Sequence, residues 1–256
     1  MKTKIYLATF SDNAIELIRE NGIGIEFNQF CISRNLDDSR INTVIGDMRN
    51  QMRQTGASSS DQCIVHGPYT ELCPMGIDPL AVDLCTKRFN QAYYGMKRLG
   101  LNRMVLHTGY YPTIYFSSWH IEHSSEFWKE FLYDKASDFT LYIENVFDPD
   151  PHDLVRIIRN AGDRRLKICF DIGHANVLSC SKYSIEEWIK IMSDYIGHFH
   201  MHNNNGVSDQ HAPLENGTMN IPNIFDIISN YCDPDVTFTI ESRDCSSSIQ
   251  LVKSLA

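Results

Sequence analysis

Short apolar, β-favouring runs alternate along the chain with longer stretches in which apolar residues recur every three or four positions. That alternation is expected of repeated βα units around a parallel sheet. Eight runs read as strands: KIYLATF (4–10), GIGIEFNQF (22–30), CIVHGPY (63–69), RMVLHTGY (103–110), TLYIENV (140–146), LKICFDIGHA (166–175), IGHFHMHNN (196–204) and TFTIESRD (237–244). The clearest helix runs from Asp78 to Leu99, with Ala81, Leu84, Cys85, Phe89, Ala92, Tyr93 and Met96 at helical spacing and Gly100 at its stop. Asp78 and Pro79 suit its N-cap and first turn. Further helices are expected after Ser124, Asp150, Ser184 and Ile221. Eight such units close on themselves, so the expected fold is a single (β/α)8, or TIM, barrel over residues 1–256 with no internal boundary.

Composition narrows this picture. A chain of 256 residues with 43% hydrophobic content can bury a substantial core. No run approaches the roughly 18 apolar residues of a membrane span, and MKTKIYLATF lacks the apolar stretch and cleavage site of a leader. A cytoplasmic protein without membrane contact is therefore expected. The eight cysteines include no CxxC pair, and Cys63 and Cys169 sit in apolar runs, so they read as buried thiols in a reducing compartment. A net charge of -9 disfavours non-specific attraction to a polyanion.

Candidate chemistry lies where the strands end. In a barrel of this kind the C-terminal rim carries the active site. The strand ends supply His66, His107, Glu144, Asp171 with His174, His200 and Glu241, and the loop after the seventh strand adds Asp209 and His211. Imidazole and carboxylate suit zinc, manganese or another divalent first-row ion. Glu144 or Glu241 buried without a cation would cost several kcal/mol, roughly the penalty of any unpaired buried charge. His120, His123 and His152, in loops or at a helix start, and His198, below the rim, read as structural histidines, whereas His202 shares the parity of His200 and reads as a neighbour of the site. The loop YYPTIYFSSWH offers Tyr111, Tyr115, Phe116 and Trp119 as a wall for a small ligand.

These motifs resemble the superfamily that joins endonuclease IV with the xylose isomerase-like sugar isomerases and epimerases. HGPY (66–69), LHTG (106–109), IEN (143–145), DIGHA (171–175), HFHMHNNNG (198–206), SDQH (208–211) and IES (240–242) match it in order and spacing. The resemblance implies that His66, His107, Glu144, Asp171, His174, His200, Asp209, His211 and Glu241 stand where endonuclease IV holds three zinc ions, and Tyr69 falls on the motif's tyrosine. It also implies that Glu144, Asp171, His200 and Glu241 stand where the sugar enzymes hold one ion. Glu26 in IEF is similar to a glutamate of the sugar-isomerase branch. The chain departs from endonuclease IV in reading DIGH for DTCH, HMHN for HLND and LENG for LGEG.

Two enzyme mechanisms follow from the resemblance. In the first, Glu144 and Glu241 pass a proton at a sugar carbon beside one divalent ion, giving an isomer or epimer. In the second, all nine residues hold two or three ions that hydrolyse a phosphoester. The expected loops carry few cations, chiefly Arg34, Arg40, Lys182 and Arg243, and Asp37, Asp38, Asp78 and Glu215 offset them. Duplex nucleic acid is therefore disfavoured as a partner, and a small sugar or sugar phosphate is favoured. On that ground the isomerase or epimerase reading stands first, the phosphoesterase second and a non-catalytic binding barrel third. Tyr69, Trp119, His202 and Arg243 are the expected substrate contacts, Arg243 as a phosphate contact.

Overall fold

A computed structural model describes residues 4–255. The N-terminal reading and the single-domain range extend to residues 1–3 and 256, which lie outside the described residues. Eight parallel strands form a closed barrel in sequence order: β1 (Ile5–Ala8), β2 (Gly24–Phe27), β3 (Cys63–His66), β4 (Arg103–His107), β5 (Thr140–Glu144), β6 (Leu166–Asp171), β7 (Ile196–Met201) and β8 (Thr237–Ile240). The order is the expected one, but each ladder is shorter than its apolar run. The polar residues at the C-terminal ends leave the ladder to form the rim, as at Gly67–Tyr69 and Asn203–Asn204.

Helices α1 (Ala14–Asn21), α2 (Ile41–Thr55), α3 (Pro79–Arg98), α4 (Ser117–Tyr133), α5 (Pro151–Ala161), α6 (Ile172–Val177), α7 (Ile185–Met192), α8 (Ile221–Tyr231) and α9 (Ser246–Leu255) follow the strands. Local chemistry sets several starts. The Asp78 carboxylate accepts from Leu80 N at α3, and Asp150 accepts from His152 N at α5. Ser184 and Glu187 cap each other's backbone at α7, forming a capping box.

Two expectations change. Helix α4 begins at Ser117 rather than after Ser124, which places His120 and His123 within it. Its inner face there presents His120, Ser124 and Ser125, so the apolar period becomes visible only from Phe127. The DIGHA segment is also not strand: β6 ends at Asp171, whose carboxylate caps α6 by accepting from His174 N at 2.7 Å. Of the cysteines, Cys63, Cys85, Cys169 and Cys245 are buried, but Cys180 is exposed in the loop after α6, so the buried-thiol reading holds only in part.

Outside the barrel the core is aromatic. Trp188 is fully buried and stacks on Phe170 with ring centroids 5.5 Å apart. Its indole N–H donates to Ser181 Oγ at 3.0 Å. Trp188→Ala removes the stack and opens a cavity between α7 and β6, and is expected to cost about 3–5 kcal/mol in urea unfolding. A loss under about 1 kcal/mol would mean the layer repacks freely. No helix among the described residues is long and apolar enough to cross a membrane.

Candidate metal centre

Strand register brings the rim residues together. In β4 and β5 His107 pairs with Glu144, and in β6 and β7 Asp171 pairs with His200. Residues paired across parallel strands share a face, so these side chains converge from neighbouring strands. His66 ends β3, Glu241 follows β8, and the loop after β7 returns Asp209 and His211 across the opening. All nine expected ligands therefore meet.

Glu144 is the hub. Its carboxylate lies 3.1 Å from His66 Nε2, 3.3 Å from His107 Nε2, 3.2 Å from His174 Nδ1 and 3.4 Å from His200 Nδ1. Burial works against its ionised form, but these imidazoles hold the carboxyl well below the usual range. His200 Nδ1 also lies 3.4 Å from Glu241 Oε2 and 3.9 Å from Asp171 Oδ2. On the outer side Asp209 Oδ2 lies 3.6 Å from His174 Nε2 and 3.3 Å from His211 Nε2. Five overlapping groups have every ligand atom within 4.8 Å of the others; two, Cys169 with His198 and His200 and Glu26 with His66 and His200, lie on the inner side, and three face the opening: His66, His107 and Glu144; Glu144, Asp171 and His200; and His174, His202, Asp209 and His211.

Three histidines are oriented as metal ligands would be. His66 Nδ1 faces the Gly67 carbonyl at 2.9 Å, His174 Nδ1 that of Asn145 at 3.0 Å, and His211 Nδ1 that of Glu241 at 2.7 Å. A carbonyl only accepts, so each Nδ1 carries the proton and donates it. Each Nε2 faces a carboxylate of the cluster, and becomes a metal-binding lone pair once it gives up its proton to an incoming ion. His200 is turned the other way. Its Nε2 lies 3.0 Å from Glu26 Oε1 and its Nδ1 has carboxylates on two sides, yet neither buried nitrogen makes an aligned hydrogen bond. A buried imidazole ringed by carboxylates with no aligned hydrogen bond is what a cation position requires. The donor set fits divalent metal.

Supporting residues lie beneath. Glu26 is fully buried, accepts from Thr239 Oγ1 at 2.5 Å and approaches His198 Nε2 at 3.2 Å. It thus braces the inner face of His200 rather than lining the cavity. Asn145, which sequence reasoning passed over, accepts from Asp171 N at 2.8 Å and donates to Asp171 O at 3.0 Å, locking β5 to β6 at the site. Only its place after Glu144 in IEN hinted at this. His211 has a left-handed backbone, φ 46°, a strained conformation for a non-glycine that its bond to Glu241 O helps to hold. Burial opposes its protonated form, but Asp209, Glu241 and Asp171 push its pKa up to about 9. Two histidines expected to be structural are so placed. His198 is held below the rim by Glu26, Thr237 and Thr239, and His120 by Asp148 and Ser124.

A cavity of about 810 Å³ opens above the cluster. Its floor includes His66, His107, Glu144, His174 and Glu241, its walls Phe10, Tyr69, Tyr110, Tyr111 and Phe147, and Arg243 stands at its edge. Tyr69 stacks on His107 with centroids 4.2 Å apart. His202 lies buried below the opening, against Asp171. Trp119 is not among the lining residues: it stacks on His123 and its indole N–H donates to Met75 O at 2.8 Å, so it secures the first turn of α4.

Residues 13–255 match the family profile described as xylose isomerase-like TIM barrel. The uncharacterized protein MJ1311 of Methanocaldococcus jannaschii is 25% identical over 199 residues, covering 74% of this chain and 67% of that protein. Among solved structures, the TTHB071 protein from Thermus thermophilus soaked with ZnCl2 has a TM-score of 0.76 at 22% identity, covering 100% of this chain and 98% of that one. A D-tagatose 3-epimerase-like protein has a TM-score of 0.74 at 21% identity, covering 98% and 96%. At these identities the structural likenesses speak to the fold, while the profile match spans nearly the whole chain. This chain belongs to the xylose isomerase-like TIM barrel family.

Proposed function

We propose that this chain is a divalent-metal-dependent enzyme that holds more than one ion and hydrolyses a phosphoester of a small, sugar-type substrate. The observation that carries the reading is that the five ligand-type residues beyond Glu144, Asp171, His200 and Glu241 also converge, and in groups. An isomerase needs only those four. His66, His107, His174, Asp209 and His211 around the same carboxylates make more ligand-type side chains than one ion takes. On that ground we place phosphoester hydrolysis ahead of isomerisation, which the sequence put first.

Divalent ions in such a set acidify water and neutralise the charge that builds on a phosphoester. The chain's own part is to hold and orient. Glu144 ties the groups together, Glu26 fixes the ring of His200, and Asn145 fixes Asp171. The aromatic walls, Tyr69 and Tyr111 among them, line the approach to the floor. Among the described residues, Arg243 is the only Lys or Arg in the cavity lining, so the substrate carries few phosphates and duplex nucleic acid is disfavoured. Because Arg243 is exposed, Arg243→Ala is expected to raise KM for phosphorylated substrates by about tenfold, and to leave unphosphorylated sugars alone. Equal effects on both would remove its role as phosphate contact.

A second reading, isomerisation or epimerisation, is favoured by one observation: Glu144 and Glu241 both line the cavity floor, as two proton-transferring carboxylates would. The sugar epimerase-like neighbour lends it further support. One experiment separates the readings. Zinc- or manganese-loaded protein is given sugar phosphates and a simple phosphodiester, and ketoses in D2O, with an abasic duplex as a third arm. Phosphate or alcohol release is expected. Deuterium entering a sugar carbon without hydrolysis would transfer the assignment to the second reading, and efficient nicking of the duplex would overturn the substrate class.

A further inference from the structure

We infer that His202 is a fourth protein donor to the ion position formed by His174, Asp209 and His211, admitted there by the glycine at 173. The inference rests on the multinuclear reading and deepens it. His202 is fully buried at the end of the β7 run, one residue past the strand. Its Nε2 is hydrogen-bonded to Asp171 Oδ2 at 3.2 Å and lies 3.1 Å from Asp171 Oδ1 and 3.8 Å from Asp209 Oδ1. Its ring lies flat on that of His211, centroids 3.8 Å apart and planes 11° apart. Its Nδ1 is buried with no hydrogen-bond partner. A purely structural histidine in such a place would have both nitrogens satisfied.

Gly173 explains how the ring fits. A Cβ built on Gly173 would fall 2.0 Å from His202 Cε1 and 2.4 Å from each ring nitrogen. No side chain larger than hydrogen is compatible with this position of the imidazole. Gly173 lies inside α6 with an ordinary helical backbone, so no conformational demand accounts for it. The space it leaves is the space His202 uses.

The chemical consequence is a division of labour between ion positions. His174, His202, Asp209 and His211 make four protein donors, the number that fills a tetrahedral ion, with His174, Asp209 and His211 on the cavity side. His66, His107 and Glu144 make three, beside Tyr69 and the cavity, and leave a position for substrate or water. The four-donor position pins the loop after β7 onto α6.

The test is zinc content and affinity of the full-length chain. Wild type, His202→Asn and Gly173→Ala are saturated with zinc, dialysed against a graded competing chelator, and counted for ions per chain by plasma mass spectrometry. His202→Asn keeps a hydrogen-bond donor near Asp171 but loses the imidazole. Gly173→Ala, favourable for the helix itself, displaces the ring by a different route. Wild type is expected to hold three ions and each variant two, with the lost ion bound at least about 100-fold more weakly, beyond what an outer hydrogen-bond partner gives. Three ions in His202→Asn with affinity reduced less than that would overturn the donor assignment and leave the multinuclear reading standing. A wild type holding one ion would overturn both.

Discussion

Glu144→Gln is expected to abolish activity, by on the order of 10³-fold or more, and to strip ions from two of the three groups at once. The size of the effect follows from position. Glu144 belongs to the His66–His107 group and to the Asp171–His200 group, and its carboxylate touches four imidazoles. Glutamine has the same shape but supplies no charge, and its amide N–H would point into a space lined by donors to a cation. The barrel should still fold, because the change is isosteric and Glu144 makes no backbone-capping bond among the described contacts. The measurements are turnover and ions per chain, with the circular dichroism spectrum as the control for folding. Activity within about tenfold of wild type would show that Glu144 is not the centre of the site.

Removing the ions is expected to lower Tm sharply without unfolding the chain at room temperature. An ion held at about a thousandfold over its dissociation constant stabilises the native state by about 4 kcal/mol. For a chain of this size each kcal/mol moves Tm by roughly 2–4 °C, so each tightly held ion should be worth roughly 8–16 °C. The chelated protein survives because its histidines take up protons in the ions' place: His66, His174 and His200 sit well above the usual imidazole value, their neighbours' negative charge outweighing burial. That compensation depends on pH. A group whose folded pKa is raised lends stability fully below about pH 6.5 and loses it as pH rises through the folded value, about 9 for His211. Chelated protein should therefore lose Tm between about pH 6.5 and 9, and ion-loaded protein should not, since metal ligands are already unprotonated. Parallel pH profiles for the two forms would count against metal at these residues.

The strands and their ends were legible because the two kinds of position differ so sharply. Ile64, Val105, Ile143, Phe170 and Phe199 are fully buried and gave continuous apolar runs, while His66, His107, Glu144 and Glu241 stood out against them. The first turns of α4 were obscured because His120, Ser124 and Ser125 face inward there, held by polar partners rather than by apolar packing. Trp119 looked like a cavity wall from its aromatic loop, but one hydrogen bond to Met75 O and a stack on His123 turn it aside. Asn145 carried no pattern of its own, since its work is a two-way bond to a residue 26 positions away. The pairing of His202 with Gly173 was equally hidden: two departures from the motif, read separately, are one packing event in space.

The number of ions in the zinc-saturated chain bears most directly on whether this is a multinuclear centre. Protein saturated with zinc, passed through gel filtration to remove free metal and analysed by plasma mass spectrometry should contain three ions per chain, falling toward none with Glu144, Asp171 and His174 replaced together. One ion per chain, or none, would contradict the account and return the site to a single-ion chemistry.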